Sequence, residues 1–107
     1  MGGRAEVVDL GHRPHIPRAN DGPHRLDLSL TDPIIAVEVP ADWTGLQQND
    51  LPAALAWRAA TDTVLSHYTG AQEGKYAVTG VGTDGERRFL LAEQVTAGLW
   101  ERLGRRA

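Results

Sequence analysis

The chain has no cysteine among its 107 residues. Disulfide bonds, thiolate nucleophiles and zinc–thiolate sites are therefore excluded. No apolar run approaches the roughly 18 residues that a membrane helix needs. Residues 1–23 alternate charge, glycine and proline, so they lack the apolar segment of a signal peptide. These absences predict a soluble protein of the cytoplasm with no membrane partner.

Excess positive charge is also missing. The chain carries 11 Lys and Arg against 14 Asp and Glu, for a formal net charge of −3. Its basic clusters, Arg87-Arg88 and the arginines at 102, 105 and 106, are short. Nonspecific nucleic-acid binding needs a concentrated basic surface that neutralises several phosphates. The composition therefore predicts no nucleic-acid partner.

Metal ligands are scarce as well. His12 and His15 are close enough in sequence to offer two imidazoles, and His24 lies in the same Pro-rich region. A closed metal site needs four organised ligands, and no carboxylate or cysteine completes one nearby. We therefore expect no metal.

The length fits a single domain, which buries roughly two-thirds of its unfolded surface. Residues 1–24 are rich in glycine and proline and have little periodic apolar content. They are predicted to form an extended or partly disordered arm, in which Val7, Val8 and Leu10 are a candidate edge strand. Residues 25–107 are predicted to form the domain itself.

Four segments have the patterns of strands. Apolar and polar residues alternate from 25 to 30, as in a half-buried strand. The segment 34–39 is β-branched and almost continuously apolar, which is typical of a strand covered on both faces. Residues 75–81 and 87–92 are predicted to pair across Asp84-Gly85, because Asp-Gly is a strong hairpin signal.

A long amphipathic helix is predicted from Asp50 to about Thr69. Asn49-Asp50 supplies a capping side chain, and Pro52 lies in the first turn. Gly70 is predicted to end the helix. The stripe that faces the sheet has three- and four-residue spacing and consists of Ala54, Trp57, Thr61, Val64, Leu65 and Tyr68.

Two shorter segments lie outside these elements. A loop containing Trp43 and Gly45 is predicted to join the strand 34–39 to the long helix. Val95, Leu99 and Leu103 have helical spacing and predict a short C-terminal helix, which Gly98 weakens.

Three sequence words occur in these elements. They are Val39-Pro40-Ala41-Asp42 after a strand, Trp57-Arg58-Ala59-Ala60-Thr61 in the helix, and Lys75-Tyr76-Ala77-Val78 at the next strand. They resemble the I-P-x-D, W-R-x-x-T and G-Y-x-V words in the C-terminal half of bacterial two-part proteins of the GNAT acetyltransferase superfamily. The resemblance covers roughly residues 25 to 92. In that family this half follows an N-terminal acetyltransferase domain, which this sequence does not contain.

The resemblance implies an α+β (α/β-like) fold. It would have a mostly antiparallel sheet of four or five strands, one long helix on a face and a short C-terminal helix. A half-domain of this kind leaves a sheet edge or face bare, and such surfaces are normally covered. The resemblance therefore implies a homo-oligomer or an acyltransferase-type partner.

The pyrophosphate loop of that superfamily is missing. The loop, Q/R-x-x-G-x-G/A, leads into a helix N-terminus that holds acyl-CoA, and no segment here matches it. Residues 80–85 have the letters of a dinucleotide fingerprint, but Arg88-Phe89-Leu90-Leu91 after them is predicted as a strand rather than a helix. We therefore interpret 80–85 as part of a hairpin and expect no cofactor.

Trp57, Arg58 and Asp42 are the candidate ligand-binding residues. An indole and a guanidinium one residue apart can stack on and pair with a planar or anionic small molecule. The alternative places Trp57 in the core and pairs Arg58 with Asp62 on the helix surface. Asp42 and Glu38 form a carboxylate pair near one strand end, either functional or simply solvated.

Tyr68, His67 and Glu38 are the candidate catalytic residues. His67 lies near the C-terminal end of the helix, where the helix dipole favours a protonated imidazole. The alternative is a surface histidine beside a packed tyrosine. Glu38 would act as a base at the rim of the sheet.

Three functions remain open. The first is a free-standing acetyltransferase-like half domain that self-associates or pairs with a partner and binds a small molecule, without autonomous acetyl-CoA chemistry. The second is a small cofactor-free enzyme of metabolism that uses acid/base residues at the helix and strand ends. The third is a fragment or subunit of a GNAT acyltransferase. A pocket containing Arg58 or Tyr68 would favour the first two, and a bare hydrophobic face would favour the third.

Overall fold

A computed structural model of the chain describes residues 7–70 and 75–96. The elements in chain order are β1 (Val7–Asp9), a 3₁₀ turn (Leu10–His12), β2 (Asn20–Asp21), β3 (Arg25–Leu26), β4 (Ile34–Val39), α1 (Trp43–Asn49), α2 (Leu51–Thr69), β5 (Tyr76–Asp84) and β6 (Arg87–Gln94). The predicted C-terminal helix and residues 71–74 lie outside the described residues.

In the described part of the chain, β1, β5, β6 and β4 form one sheet in that order. β6 runs antiparallel to both of its neighbours, whereas β1 runs parallel to β5. β2 and β3 form a separate antiparallel ribbon. The long helix α2 packs on one face of the sheet, where Val64 and Tyr68 meet Ile35 and Val37. This arrangement confirms the predicted α+β class, with a mostly antiparallel sheet and one long helix.

The β5–β6 hairpin confirms the interpretation of residues 80–85. Gly85 has φ 62°, and no non-glycine residue of the described ranges has a positive φ. Glycine at the first loop position and an ordinary φ at Glu86 indicate a type II′ turn. Gly82 lies within β5, where an added Cβ would be only 3.2 Å from the carbonyl oxygen of Val8. Glycine at this position lets β1 approach β5 closely. Because Gly82 lies within a strand and not before a helix, it does not form a phosphate-binding turn.

Strand β4 is buried on both faces, as its composition predicts. Ile35 and Val37 point toward α2, whereas Ala36 points to the opposite face. On that opposite face, Leu10 and Ile16 from the predicted arm are buried with Ala36 and with Phe89 and Leu91 of β6. Leu10 and Ile16 therefore cover this second face of the sheet.

The arm also covers the outer edge of β4. The amide of Ala19 donates to the carbonyl of Ala36 at 2.7 Å, and the amide of Ala36 donates to the carbonyl of Pro17 at 2.9 Å. The Asn20 side chain then accepts from the Glu38 amide at 2.7 Å and donates to the Glu38 carbonyl at 3.0 Å. Residues 17–20 thus satisfy backbone groups that an open edge would expose.

The strand predicted from 25 to 30 is wrong beyond Leu26, because regular pairing ends there. The Asp27 carboxylate accepts from the Ser29 amide at 3.0 Å and from the Ser29 hydroxyl. Such a local side-chain bond competes with a strand ladder. The Tyr68 hydroxyl also donates a hydrogen bond of 2.6 Å to the carbonyl of Asp27. Alternation alone did not reveal either competitor.

The loop predicted around Trp43 and Gly45 is wrong as well, because this segment is the helix α1. Asp42 caps it by accepting a hydrogen bond from the Gly45 amide at 3.0 Å. Asp50 ends α1 and also caps α2, where it accepts from the Ala53 amide at 3.2 Å. Each helix therefore starts at a capping carboxylate, and Asp50 is the junction between the two helices.

The prediction for α2 is confirmed in its bounds, with Gly70 as the residue that follows its last turn. Gly70 has φ −61° and ψ 148°, so it ends the helix in an extended rather than a left-handed conformation. Within residues 7–70 and 75–96, no helix has both the length and the apolar character needed to cross a membrane.

Candidate functional site

An open groove separates α1 from α2 at the C-terminal end of β4. Its volume is about 430 Å³, and its lining residues are Val39, Pro40, Trp43, Gln47, Arg58, Thr61 and Asp62. We call it the Arg58 groove. It combines an indole, a guanidinium, a carboxylate, a carboxamide and a hydroxyl with an apolar floor, which is a common composition of small-molecule sites.

Local sequence explains why the groove forms here. Pro40 follows β4 and has no amide hydrogen for a continued ladder. Asp42 then starts α1, so that Trp43 and Gln47, one helical turn apart, line the same wall. Arg58 and Asp62 are also one turn apart and supply part of the facing wall from α2.

Arg58 is exposed in this groove and has no ion pair in the described part of the chain. The predicted Arg58–Asp62 pair on the helix surface is therefore wrong. An exposed ion pair contributes only about 0 to 1 kcal/mol to stability, because holding both side chains in one geometry costs conformational entropy. The guanidinium keeps its donors available, and a planar fork of this kind suits a carboxylate.

Trp57 and Asp42, the other predicted ligand residues, line a different groove. Its volume is about 400 Å³, and it lies between Pro40, Ala41, Asp42, Gly45, Leu46, Asn49, Asp50 and Trp57. Pro40 borders both grooves, which flank α1. The structure therefore separates Trp57 from Arg58 and places Trp43 beside Arg58 instead. The sequence feature that could have predicted the position of Trp43 is Asp42, a capping residue that starts a helix at Trp43.

Glu38, a predicted catalytic base, is buried and bound by Arg87 through two hydrogen bonds of 2.8 and 2.6 Å. Its carboxylate also accepts from the Gly22 amide at 2.8 Å. Hydrogen bonding to Glu38 is the main reason that the pKa of Arg87 is raised above its usual value. These contacts give Glu38 a structural role that joins the arm to the hairpin.

Tyr68 is also held by structural partners. Its hydroxyl donates to the carbonyl of Asp27 at 2.6 Å and accepts from the amide of Leu30 at 3.0 Å. Burial raises the pKa of Tyr68, so the phenol remains a donor. The exposed His67 contacts the Tyr68 ring edge-on, with ring centroids 4.7 Å apart.

The three predicted catalytic residues do not form one cluster. Tyr68 lies in the core between α2 and the sheet. Glu38 lies on the other face of the sheet, away from α2. It is two residues after Ala36 and directly opposite Phe89 in the β4–β6 ladder. The catalytic roles of these three residues stay predictions.

Sequence reasoning missed a cluster of charges around Phe89, which we call the Phe89 clasp. The guanidinium carbon of Arg18 lies 4.7 Å from the Phe89 ring centroid, and that of Arg87 lies 5.6 Å from it. Arg18 pairs with Asp84 at 2.6 Å, and Arg87 pairs with Asp21 at 2.7 Å as well as with Glu38. No local pattern signals these pairs, because their members are far apart in sequence.

Within the described ranges, no group of three or more His, Asp or Glu side chains is arranged to hold a metal ion. No family model, no curated protein and no solved structure matches this chain. The geometry of the Arg58 groove is therefore the main basis for a functional proposal.

Proposed function

We propose that this chain is a small-molecule binding domain that holds a planar anion in the Arg58 groove, without acetyl-CoA chemistry of its own. The observation that carries the proposal is a guanidinium without an ion-pair partner in the described residues, placed beside an indole in an open groove. Arg58 would pair with a carboxylate, Trp43 would contact the planar part, and Gln47 and Thr61 would offer further hydrogen bonds.

Self-association is a second part of the proposal. Leu51, Leu55, Val78 and Val81 are exposed by 40% or more, and clustered apolar surface is normally covered. The cytoplasmic location and the acetyltransferase ancestry stay predictions, as do the alternatives of an enzyme and of an acyltransferase fragment. The structural partners of Glu38 and Tyr68 give the enzyme alternative no support.

Aromatic carboxylates provide a direct test of the groove. We expect benzoate to bind the full chain more tightly than its neutral isostere benzamide, with chemical-shift changes at Trp43 and Thr61 in an NMR titration. Replacing Arg58 with glutamine should remove this preference, about a tenfold loss for benzoate and little change for benzamide.

Arg88→Gln is the matched control, because Arg88 is an exposed arginine of β6 outside the groove. It should leave benzoate binding unchanged. Equal weakening by both substitutions would mean that benzoate senses only overall charge. Equal binding of benzoate and benzamide to the wild type would contradict a guanidinium site.

Acetyl-CoA is not expected to bind. Both helix N-termini of the described chain are occupied by a carboxylate of the chain itself, Asp42 on α1 and Asp50 on α2. A pyrophosphate at either end would meet this negative charge instead of a row of free amides. Isothermal titration should show no saturable binding. A dissociation constant near or below about 10 μM, which requires nearly 7 kcal/mol, would contradict this prediction.

A further inference from the structure

The outer face of α2 has little charge for a surface helix. Among the 19 residues of α2, Arg58 and Asp62 are the only Arg, Lys, Asp or Glu. Leu51 and Leu55, one turn apart, are exposed by 56% and 58%, and Ala59 continues this line at the next turn. A helix that is apolar on more than its core face is usually buried against a second surface.

The two charges of α2 are self-complementary. Neither Arg58 nor Asp62 takes part in an ion pair within residues 7–70 and 75–96. If two α2 helices meet antiparallel about a two-fold axis at position 60, residue 58 of one copy lies opposite residue 62 of the other. The symmetry then forms two reciprocal ion pairs. Ala59 beside the axis is small enough for the close helix approach that such packing requires.

We propose that two copies of this chain pair antiparallel along α2, with Leu51, Leu55 and Ala59 in the contact and each Arg58 bound to the partner subunit's Asp62. The partner therefore contributes a residue to the Arg58 groove. Its carboxylate fixes one edge of the guanidinium, and the remaining N–H donors face the ligand. In this respect the inference rests on the proposed ligand site, whereas the pairing of the helices rests only on the proposed self-association.

A second exposed apolar patch, at Val7, Val78 and Val81, lies on the α2 side of the sheet beyond the helix. Asp9 and Arg88 lie on the same face, but both side chains already have contacts within the chain: Asp9 with His12 and the Gly11 amide, and Arg88 with the Gly85 carbonyl. The α2 face is therefore the favoured interface, and the sheet patch is the alternative that the experiment distinguishes.

Analytical ultracentrifugation of the full chain without ligand tests the pairing. At micromolar concentration the wild type should sediment as a dimer of the 11.6 kDa chain. Leu55→Glu should sediment as a monomer, because its carboxylate would enter the helix contact. Val81→Glu is the matched control, and it should remain a dimer. Leu55 and Val81 are both exposed, so circular dichroism should show the wild-type fold for each variant.

Charge reversal gives a second, independent test. Arg58→Asp and Asp62→Arg should each weaken dimerisation at least about tenfold, because like charges then face each other across the axis. The double variant Arg58→Asp/Asp62→Arg should restore the dimer. A monomeric wild type, a dimer broken by Val81→Glu instead of Leu55→Glu, or a double variant without rescue would each overturn the proposal.

These outcomes are separable from the test of the groove. Sedimentation is measured without ligand, so a monomeric wild type would leave the benzoate result for Arg58→Gln in place. Conversely, a dimer with the expected charge rescue that shows no benzoate preference would retain the interface and contradict only the ligand proposal.

Discussion

Replacing Arg87 with alanine is expected to lower the free energy of unfolding by about 3 kcal/mol. The substitution leaves Glu38, whose side chain is only 8% exposed, without its cationic partner. Removing one member of a buried pair costs about 3 to 5 kcal/mol, chiefly because the remaining charge stays desolvated. The Arg87 side chain is 40% exposed and the Gly22 amide still binds Glu38, so the lower end of that range applies.

Urea denaturation at neutral pH measures this loss, with Arg88→Ala as the control. Arg88 is the next residue of the same strand but is exposed, and its side chain donates a long hydrogen bond of 3.4 Å to the Gly85 carbonyl. Arg88→Ala should change the unfolding free energy by less than about 0.5 kcal/mol. The raised pKa of Arg87 keeps the guanidinium charged wherever the unfolded side chain is charged, so its contribution persists through neutral and mildly alkaline pH. Similar losses for Arg87→Ala and Arg88→Ala would contradict the structural role of Glu38.

Phe89→Ala is expected to cost about 4 kcal/mol of unfolding free energy. The ring is 1% exposed, and it fills the core between the sheet and the arm with Leu10 and Ile16. Alanine would leave a cavity there. It would also remove the ring face beneath Arg18 and Arg87.

Phe89→Leu separates packing from the ring face, because leucine restores most of the buried apolar volume without an aromatic quadrupole. It should cost roughly 1 to 1.5 kcal/mol. Hydrogen exchange should show the consequence at the Ala19 amide, which binds Ala36 and would lose protection in Phe89→Ala more than in Phe89→Leu. Unchanged exchange at Ala19 in Phe89→Ala would mean that the arm does not depend on the ring.

Elements with local signals could be predicted from the sequence. β4 has an almost continuous apolar run, α2 has a capping Asp50 and a terminal Gly70, and the β5–β6 turn has Gly85. Each of these signals lies within or next to the element that it specifies. Local propensity and burial agree there, so the structure follows the pattern.

The remaining elements depend on distant partners. The strand expected after Arg25 ends early because Tyr68, about 40 residues away, binds the Asp27 carbonyl. Leu10, Ile16 and Ala19 of the arm are buried because Ala36 and Phe89 provide an edge and a face for them. A glycine- and proline-rich composition does not reveal such partners, so the prediction of an extended or disordered arm did not anticipate these contacts.

The candidate site was predicted in part. Arg58 was a candidate because an indole and a guanidinium one residue apart can stack on and pair with a planar or anionic small molecule. Its neighbour was expected to be Trp57, the adjacent residue in sequence. Successive residues of a helix point about 100° apart, and the fold of α1 back onto α2 brings Trp43 to Arg58 instead. Adjacency in sequence was therefore a poor guide to adjacency in the groove.

The Phe89 clasp also determines when this domain can fold during synthesis. Arg18 and Asp84 are 66 residues apart, as are Asp21 and Arg87. Until the hairpin has left the ribosome, Leu10 and Ile16 have no complete sheet face to cover, because Phe89 and Leu91 belong to β6. Contacts of such long range require loop closure before any stabilisation is gained, which slows folding. The nascent chain therefore exposes Leu10 and Ile16 throughout its elongation, and the arm docks as a late event rather than as the seed of the fold.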